Sequence, residues 1–211
     1  MKEGLDLSKY QDKKLIAFDL YGTCIDHPFK GGLSWDLIKI METNPITMQD
    51  IQEWKIEKNW IRIEINDELI RNVKQDIQTC FLYPEVLETL KYIKSKWYQT
   101  AVVSNLSKDY AEPLHRLIPE WNFDYEVLSF NVWANKPDSK IYEYLKSLSW
   151  TDFKNIVMIG DSLKSDVLWS HNVWITPIHL DRTEGRWIKQ VNKKWISFIQ
   201  ISTLADLKEL F

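Results

Sequence analysis

The sequence predicts an α/β fold, a parallel sheet flanked by helices and interrupted once by a helical insert. Three observations predict it. Short apolar runs without polar alternation recur at Leu15–Phe18, Thr100–Val103 and Asn155–Ile159, which is the habit of parallel strands buried on both faces. Amphipathic helical stretches stand between the strand-like runs, favouring a parallel sheet with right-handed crossovers. One long segment, Asp26 to Leu82, breaks this alternation and reads as helices.

Taken in order, the first strand is Leu15-Ile16-Ala17-Phe18, ending at Asp19, with a turn at Gly22-Thr23. The insert predicts helices over Ser34–Glu42, over Thr47–Glu57 after the Asn44-Pro45 break, and over Ile65–Cys80. Pro84–Lys96 then carries Val86, Leu87, Leu90 and Ile93 at helical spacing, with proline at its start. Further strands are predicted at Tyr125–Leu128, Ile175–His179 and Ser197–Ile201, besides those at Thr100 and Asn155. Lys136–Leu148 presents Ile141, Leu145 and Leu148 on one helical face, and Thr203–Phe211 closes the chain with Leu204, Leu207 and Leu210. The division is a core of residues 1–25 and 83–211 with an insert of 26–82, placed as a cap over the C-terminal edge of the sheet. The insert holds 10 acidic and 7 basic residues, so the net charge of −3 lies within it.

Composition narrows the function. With 211 residues, 45% hydrophobic and 27% charged, the chain can bury a core and is not a disordered tail. Its near-neutral charge gives no general reason to expect a nucleic-acid partner. Two cysteines, Cys24 and Cys80, rule out a disulfide scaffold and a multi-cysteine zinc site. No apolar run approaches the ~20 residues a membrane span needs. The charged start MKEGLDLSKYQDKK is not a signal peptide. The expectation is a soluble, cytoplasmic protein.

Glycine and tryptophan are out of balance. Glycine is 6 of 211 residues and tryptophan is 11, whereas glycine averages about 7% of residues. Trp97, Trp150 and Trp174 each follow a predicted helix, at the position where a left-handed residue, usually glycine, ends it. Trp133 lies in a loop near Lys136, and Trp169 in the helix after Asp166. The pattern predicts that these tryptophans stand for glycines, because some bacterial lineages read UGA as glycine where common tables read tryptophan. Restoring all 11 would bring glycine to 17, and lysine exceeds arginine 22 to 5, as AT-rich coding produces.

In open α/β sheets, ligands bind beyond the C-terminal ends of the strands. Asp19 and Thr23 stand there after the first strand, Ser104-Asn105 after the second, and Gly160-Asp161 with Asp166 after the fourth; Lys136 precedes Pro137 at a helix start. Close carboxylates repel unless a cation neutralises them, and oxygen ligands favour Mg²⁺. A carboxylate can also attack phosphorus as a nucleophile. Ser104 can hold non-bridging oxygens, and Lys136 can offset charge. Asp26 reads as a hinge or helix-capping residue. His27, His115, His171 and His179 show no metal-ligand spacing, and Lys189, Lys193 and Lys194 read as a solvated face.

This constellation resembles the haloacid dehalogenase superfamily, helical-cap subfamily. The matching motifs are Phe18-Asp19-Leu20-Tyr21-Gly22-Thr23, Val103-Ser104-Asn105, Lys136-Pro137, and Gly160-Asp161-Ser162 through Asp166. The resemblance implies a Rossmann-like core, an inserted helical cap, Mg²⁺ and an aspartyl-enzyme intermediate. It implies Asp19 as nucleophile, and Mg²⁺ held by Asp19, the Tyr21 carbonyl and Asp161, with Asp166 steadying the metal or Lys136. It also implies Ser104 as phosphoryl ligand and Asn105 ordering its loop, with Thr23 in the same substrate-binding set.

Family phosphatases carry a second aspartate two residues after the nucleophile; here Tyr21 stands there. A phenol with a pKa near ~10 is a poor acid or base at pH 7. That tyrosine points to the family's metal-independent dehalogenases, whereas Asp161 and Asp166 point to its phosphatases. The first expectation is a Mg²⁺-dependent phosphomonoesterase acting on a small phosphorylated metabolite. The second is a 2-haloacid dehalogenase using Asp19, and the third a phosphate-ester-binding module without turnover.

Overall fold

The continuous apolar runs form the interior of a seven-stranded sheet. In the computed structural model, the described residues are 5–26, 42, 57–58, 61–62, 67–183, 185, 187–193 and 195–211. The strands are β1 (Leu15–Phe18), β2 (Gln99–Ser104), β3 (Tyr125–Leu128), β4 (Ile156–Gly160), β5 (Thr176–Leu180), β6 (Ile188–Lys193) and β7 (Ile196–Ile201). Their order across the sheet is β6-β7-β5-β4-β1-β2-β3, parallel throughout except for the β6–β7 pair. The α/β class, parallel sheet and Rossmann-like layering are therefore as the sequence predicts.

Burial on both faces explains why β1, β2 and β4 lack alternation. On one face Ile16, Phe18, Val102, Val157 and Ile159 pack with Val86, Leu90 and Ile93 of helix α2 (Val86–Ser95) and with Leu204 and Leu207. On the other, Leu15, Ala17, Ala101, Val103 and Met158 pack with Ile141, Tyr142 and Leu145 of helix α3 (Ser139–Ser149). Asp138 caps α3 by accepting from the Lys140 N–H at 3.0 Å. Cys24 and Cys80 are buried free thiols. Among the described residues no helix is long and apolar enough to cross a membrane.

The register positions the site. Phe18 lies opposite Val102 on one side and Ile159 on the other. The ends of β1, β2 and β4 are thus level, and Asp19, Ser104 and Asp161 emerge at one sheet edge. The Asp19 N–H donates to the Ile159 carbonyl at 2.8 Å, holding the chain extended one residue past β1.

The insert leaves through Ile25–Asp26 and returns through Phe81–Leu82, which pair antiparallel as a two-strand neck. Helix α1 (Asp67–Thr79) matches the last predicted insert helix. The predicted helix Ser34–Glu42 lies outside the described residues except for Glu42, which is helical. Most of the predicted helix Thr47–Glu57 also lies outside them. Glu57 itself is not helical: Glu57–Lys58 pairs antiparallel with Ile61–Arg62. Ile61, β-branched, favours the extended backbone of this pair.

Two other elements differ from expectation. The lysine-bearing segment around Lys189 and Lys193 forms β6, an edge strand whose lysines remain exposed. Charge on an edge strand blocks further pairing, so the solvated face and the strand coexist. The closing segment is a 3₁₀ turn, Leu204–Glu209, rather than a full helix. Thr203 and Asp206 form a reciprocal capping box at its start.

The backbone singles out the tryptophans. Among the described residues, those other than glycine with positive φ are Trp97 (67°), Trp133 (59°), Trp150 (54°) and Trp174 (68°). Trp97, Trp150 and Trp174 end helices in the left-handed region, as predicted from their places, and Trp133, expected in a loop, ends the short helix Ser129–Val132 in the same way. Bulky side chains rarely occur there. Trp169 differs: its φ of −83° is right-handed, so its backbone makes no demand for glycine.

Candidate active site

The site is assembled around one buried lysine. Lys136 Nζ donates to Asp19 Oδ1 and to Asp166 Oδ1, both at 2.6 Å. All three side chains are nearly inaccessible to solvent. Burial works against the ammonium, but Asp166 and Asp19 outweigh it and hold its pKa above the ordinary lysine range. Asp166 Oδ2 accepts from the Ser162 N–H at 3.0 Å. The Asp166 carboxyl packs directly over Gly160, where a Cβ would overlap it. Glycine at the end of β4 is what lets Asp166 turn back toward Lys136.

Asp161 completes the cluster. Asp19, Asp161 and Asp166 each offer an oxygen within 4.8 Å of the others. Gly22, in the turn after β1, has φ of 77°, and a Cβ there would press on the Asp161 carboxylate. Both requirements, backbone and space, therefore call for glycine at 22. Burial, then the charge of Asp19, pushes the Asp161 pKa up to about 6. Three carboxylates crowd one ammonium; Arg182 also acts on Asp161, but its guanidinium is paired with Glu85, so acidic groups outnumber the cations at the cluster.

Ser104 is buried beside this cluster at the end of β2. Thr23 is buried, and its hydroxyl has no hydrogen-bond partner among the described residues. Asn105 faces the lysine loop. Its Nδ2 donates to the Lys136 carbonyl at 2.7 Å, and its Oδ1 accepts from the Lys136 N–H at 2.6 Å. The amide is engaged at both ends by the backbone it orders. Asn105→Ala is expected to lower stability by about 2 kcal/mol, because two partly buried hydrogen bonds of ~1 kcal/mol each are lost; urea denaturation measures this.

The Tyr21 hydroxyl is engaged away from the carboxylates. It donates to the Tyr110 carbonyl at 2.9 Å and lies 3.9 Å from Cys80 Sγ. Burial, then Cys80, drives its pKa above the ordinary tyrosine range. Asp26 accepts from the Tyr83 hydroxyl at 2.7 Å, beside the strand pair Ile25–Asp26 and Phe81–Leu82. His27 lies outside the described residues.

Two residues had no motif to announce them. Arg182, just past β5, donates to the carbonyls of Gly22 (3.3 Å) and Thr23 (2.6 Å) and pairs with Glu85 at 2.7 Å. Its guanidinium lies 3.5 Å from the centre of the Tyr83 ring. It therefore ties the turn after Asp19 to the neck and to the start of α2. Glu42, from the insert, accepts from Asn135 Nδ2 at 3.0 Å, next to Lys136.

Three carboxylates gathered about one lysine at the sheet edge can be set beside known proteins. The family model of haloacid dehalogenase-like hydrolases matches residues 13–168. A phosphoglycolate phosphatase of Aliivibrio fischeri is 25% identical over 181 residues, 75% of this chain and 79% of that protein. The fold is shared with an enzyme of the haloacid dehalogenase family from Bacteroides thetaiotaomicron, solved with magnesium and inorganic phosphate. The TM-score is 0.65 at 17% identity, covering 82% of this chain and 96% of that one. It is equally shared with a 2-haloacid dehalogenase from Pseudomonas syringae, with TM-score 0.65, 15% identity, and 94% and 97% of the two chains covered. The match across residues 13–168 spans more than half of the chain and takes in Asp19, Ser104, Lys136, Asp161 and Asp166, so the protein belongs to the haloacid dehalogenase-like hydrolases.

Proposed function

We propose that the protein is a Mg²⁺-dependent phosphohydrolase that cleaves small phosphomonoesters through an aspartyl-phosphate on Asp19. The observation that carries this reading is the carboxylate cluster. Asp19 and Asp166 both pair with Lys136, and Asp161 brings a third carboxylate within 4.8 Å of them, so acidic groups crowd one ammonium. A hard divalent cation held by Asp19 and Asp161, with the Tyr21 carbonyl, fits that donor set. When bound, Mg²⁺ would neutralise charge on the phosphoryl oxygens.

The chain's own groups do the rest. Lys136 holds the Asp19 carboxylate in place and supplies positive charge to the transferred group. Asp166 keeps Lys136 charged and aimed. The hydroxyls of Ser104 and Thr23 bind phosphoryl oxygens. Asp19 attacks phosphorus, the P–O ester bond breaks, and water then cleaves the aspartyl-phosphate. The insert closes over the sheet edge as a cap and excludes bulk water during the first step.

The test is phosphate release from a panel of small phosphomonoesters in Mg²⁺ and in EDTA, with release expected only in Mg²⁺. A second reading, a 2-haloacid dehalogenase, is favoured by Tyr21 in the first motif. Halide release from 2-chloropropionate in EDTA, with no phosphate release in Mg²⁺, would establish it instead.

Metal binding also has a pH signature. The folded, metal-free protein binds a proton at Asp161 more readily than the unfolded chain, because its pKa is raised to about 6. This group therefore stabilises the metal-free fold as pH falls through about 6, while the same proton competes with Mg²⁺. Mg²⁺ at ~100 times its Kd adds about 2.7 kcal/mol. The rise in Tm on adding Mg²⁺ is expected to be clearly larger at pH 7.5 than at pH 5, read by thermal melts.

A further inference from the structure

We propose that Glu42, carried by the insert, is the general acid that protonates the leaving oxygen and the base that activates water in the second step. This rests on the phosphohydrolase reading above and supplies the proton carrier that reading lacks.

The groups within the core are already engaged. Tyr21 occupies the expected place of the acid, but its hydroxyl is bound to the Tyr110 carbonyl and its pKa is raised by burial. Asp19 and Asp166 both hold Lys136. Asp161 belongs to the acidic cluster proposed to hold the cation. Asp26 is bound to the Tyr83 hydroxyl at the neck.

Glu42 comes from the opposite side. Its Oε2 accepts from Asn135, whose neighbour Lys136 reaches Asp19. The Asn135 bond holds this insert carboxyl one residue along the chain from Lys136, and the charges of Lys136 and Asp19 both act on it. The side chain is half-buried. Burial raises its pKa to about 7, against the opposing effects of Lys136 and Asn135 and with a further push from Asp19. A carboxyl poised there is matched to proton transfer at neutral pH. Asn135 fixes one oxygen, leaving Oε1 to carry the proton.

The steps balance. In the first, Asp19 forms an O–P bond and the ester P–O bond breaks. Its electron pair passes to the leaving oxygen, which takes the Glu42 proton and departs as an alcohol. In the second, the Glu42 carboxylate takes a proton from water as the water oxygen attacks phosphorus. The Asp19–phosphorus bond breaks, regenerating the Asp19 carboxylate and a protonated Glu42 beside inorganic phosphate.

Leaving groups separate this role from a structural one. An alkyl phosphomonoester needs the acid, whereas p-nitrophenyl phosphate releases a weakly basic phenolate that does not. Glu42→Gln keeps the shape and removes the proton. The expected result is loss of alkyl-ester turnover by about 10²–10⁴-fold, with a rapid burst of about one nitrophenolate per enzyme retained and slow turnover after it. That burst also reports a folded site. Equal loss of the burst and of alkyl turnover, or no loss of either, would overturn the assignment. If the unaltered protein in Mg²⁺ turns over neither ester, the phosphohydrolase reading fails and the assignment falls with it.

Discussion

Asp19→Asn is expected to reduce Mg²⁺-dependent phosphate release by about 10⁴-fold or more, since removing the nucleophile of a covalent mechanism costs on that order. The amide cannot form the acyl-phosphate, and no other carboxylate is placed to replace it. Asp166 is buried against Lys136, and Asp161 stands after β4 in the acidic cluster proposed to hold the cation. The loss separates cleanly from unfolding. Asparagine keeps an Oδ1 that accepts from Lys136, preserving the contact now made at 2.6 Å. The substitution also removes one of three crowded negative charges, relieving the repulsion that raises the Asp161 pKa. The metal-free variant should therefore melt close to the parent, because Asp166 still pairs with the buried Lys136 ammonium, while the stabilisation by Mg²⁺ shrinks because one ligand is neutral. Steady-state phosphate release and melts with and without Mg²⁺ measure both halves. A variant that retained more than about a tenth of the activity would sink Asp19 as nucleophile.

Most of the architecture was legible because burial writes itself into the strands. β1, β2 and β4 are continuously apolar since both faces are covered, and the residues following them sit by geometry at the sheet's C-terminal edge. Asp19, Ser104 and Asp161 could thus be placed from sequence alone, and Lys136 joined them through its motif. β6 was not legible. An edge strand with exposed Lys189 and Lys193 has no second buried face and carries the pattern of a solvated surface. The bracket between Asn105 and Lys136 spans 31 positions, and the ties of Arg182 to Gly22 and Thr23 span about 160. No local pattern records such contacts. Glu42 shares this difficulty, because an acidic residue at the end of an amphipathic helix is ordinary until the fold brings it beside Asn135.

Replacing Trp97, Trp133, Trp150 and Trp174 together by glycine is expected to raise Tm by about 10 °C. A left-handed residue other than glycine costs ~1–2 kcal/mol, and the freedom glycine loses on folding returns ~0.5–1 kcal/mol of that. The net is about 0.8 kcal/mol per site, or about 3 kcal/mol for four, and each kcal/mol moves Tm by ~2–4 °C in a chain of this size. The indoles contribute little packing in exchange: Trp97, Trp150 and Trp174 are 94%, 93% and 81% exposed, and Trp133 is 63% exposed. Trp169 is the internal control. It is right-handed and 39% exposed, so glycine there should lower Tm slightly, by the usual helix-propensity difference. A gene whose UGA codons are read as glycine in its own cell meets the demand at all four positions. Mass spectrometry of peptides from the native protein decides the point: glycine masses at 97, 133, 150 and 174 are expected, and tryptophan masses there would overturn the recoding while leaving the predicted gain in Tm to be measured on its own.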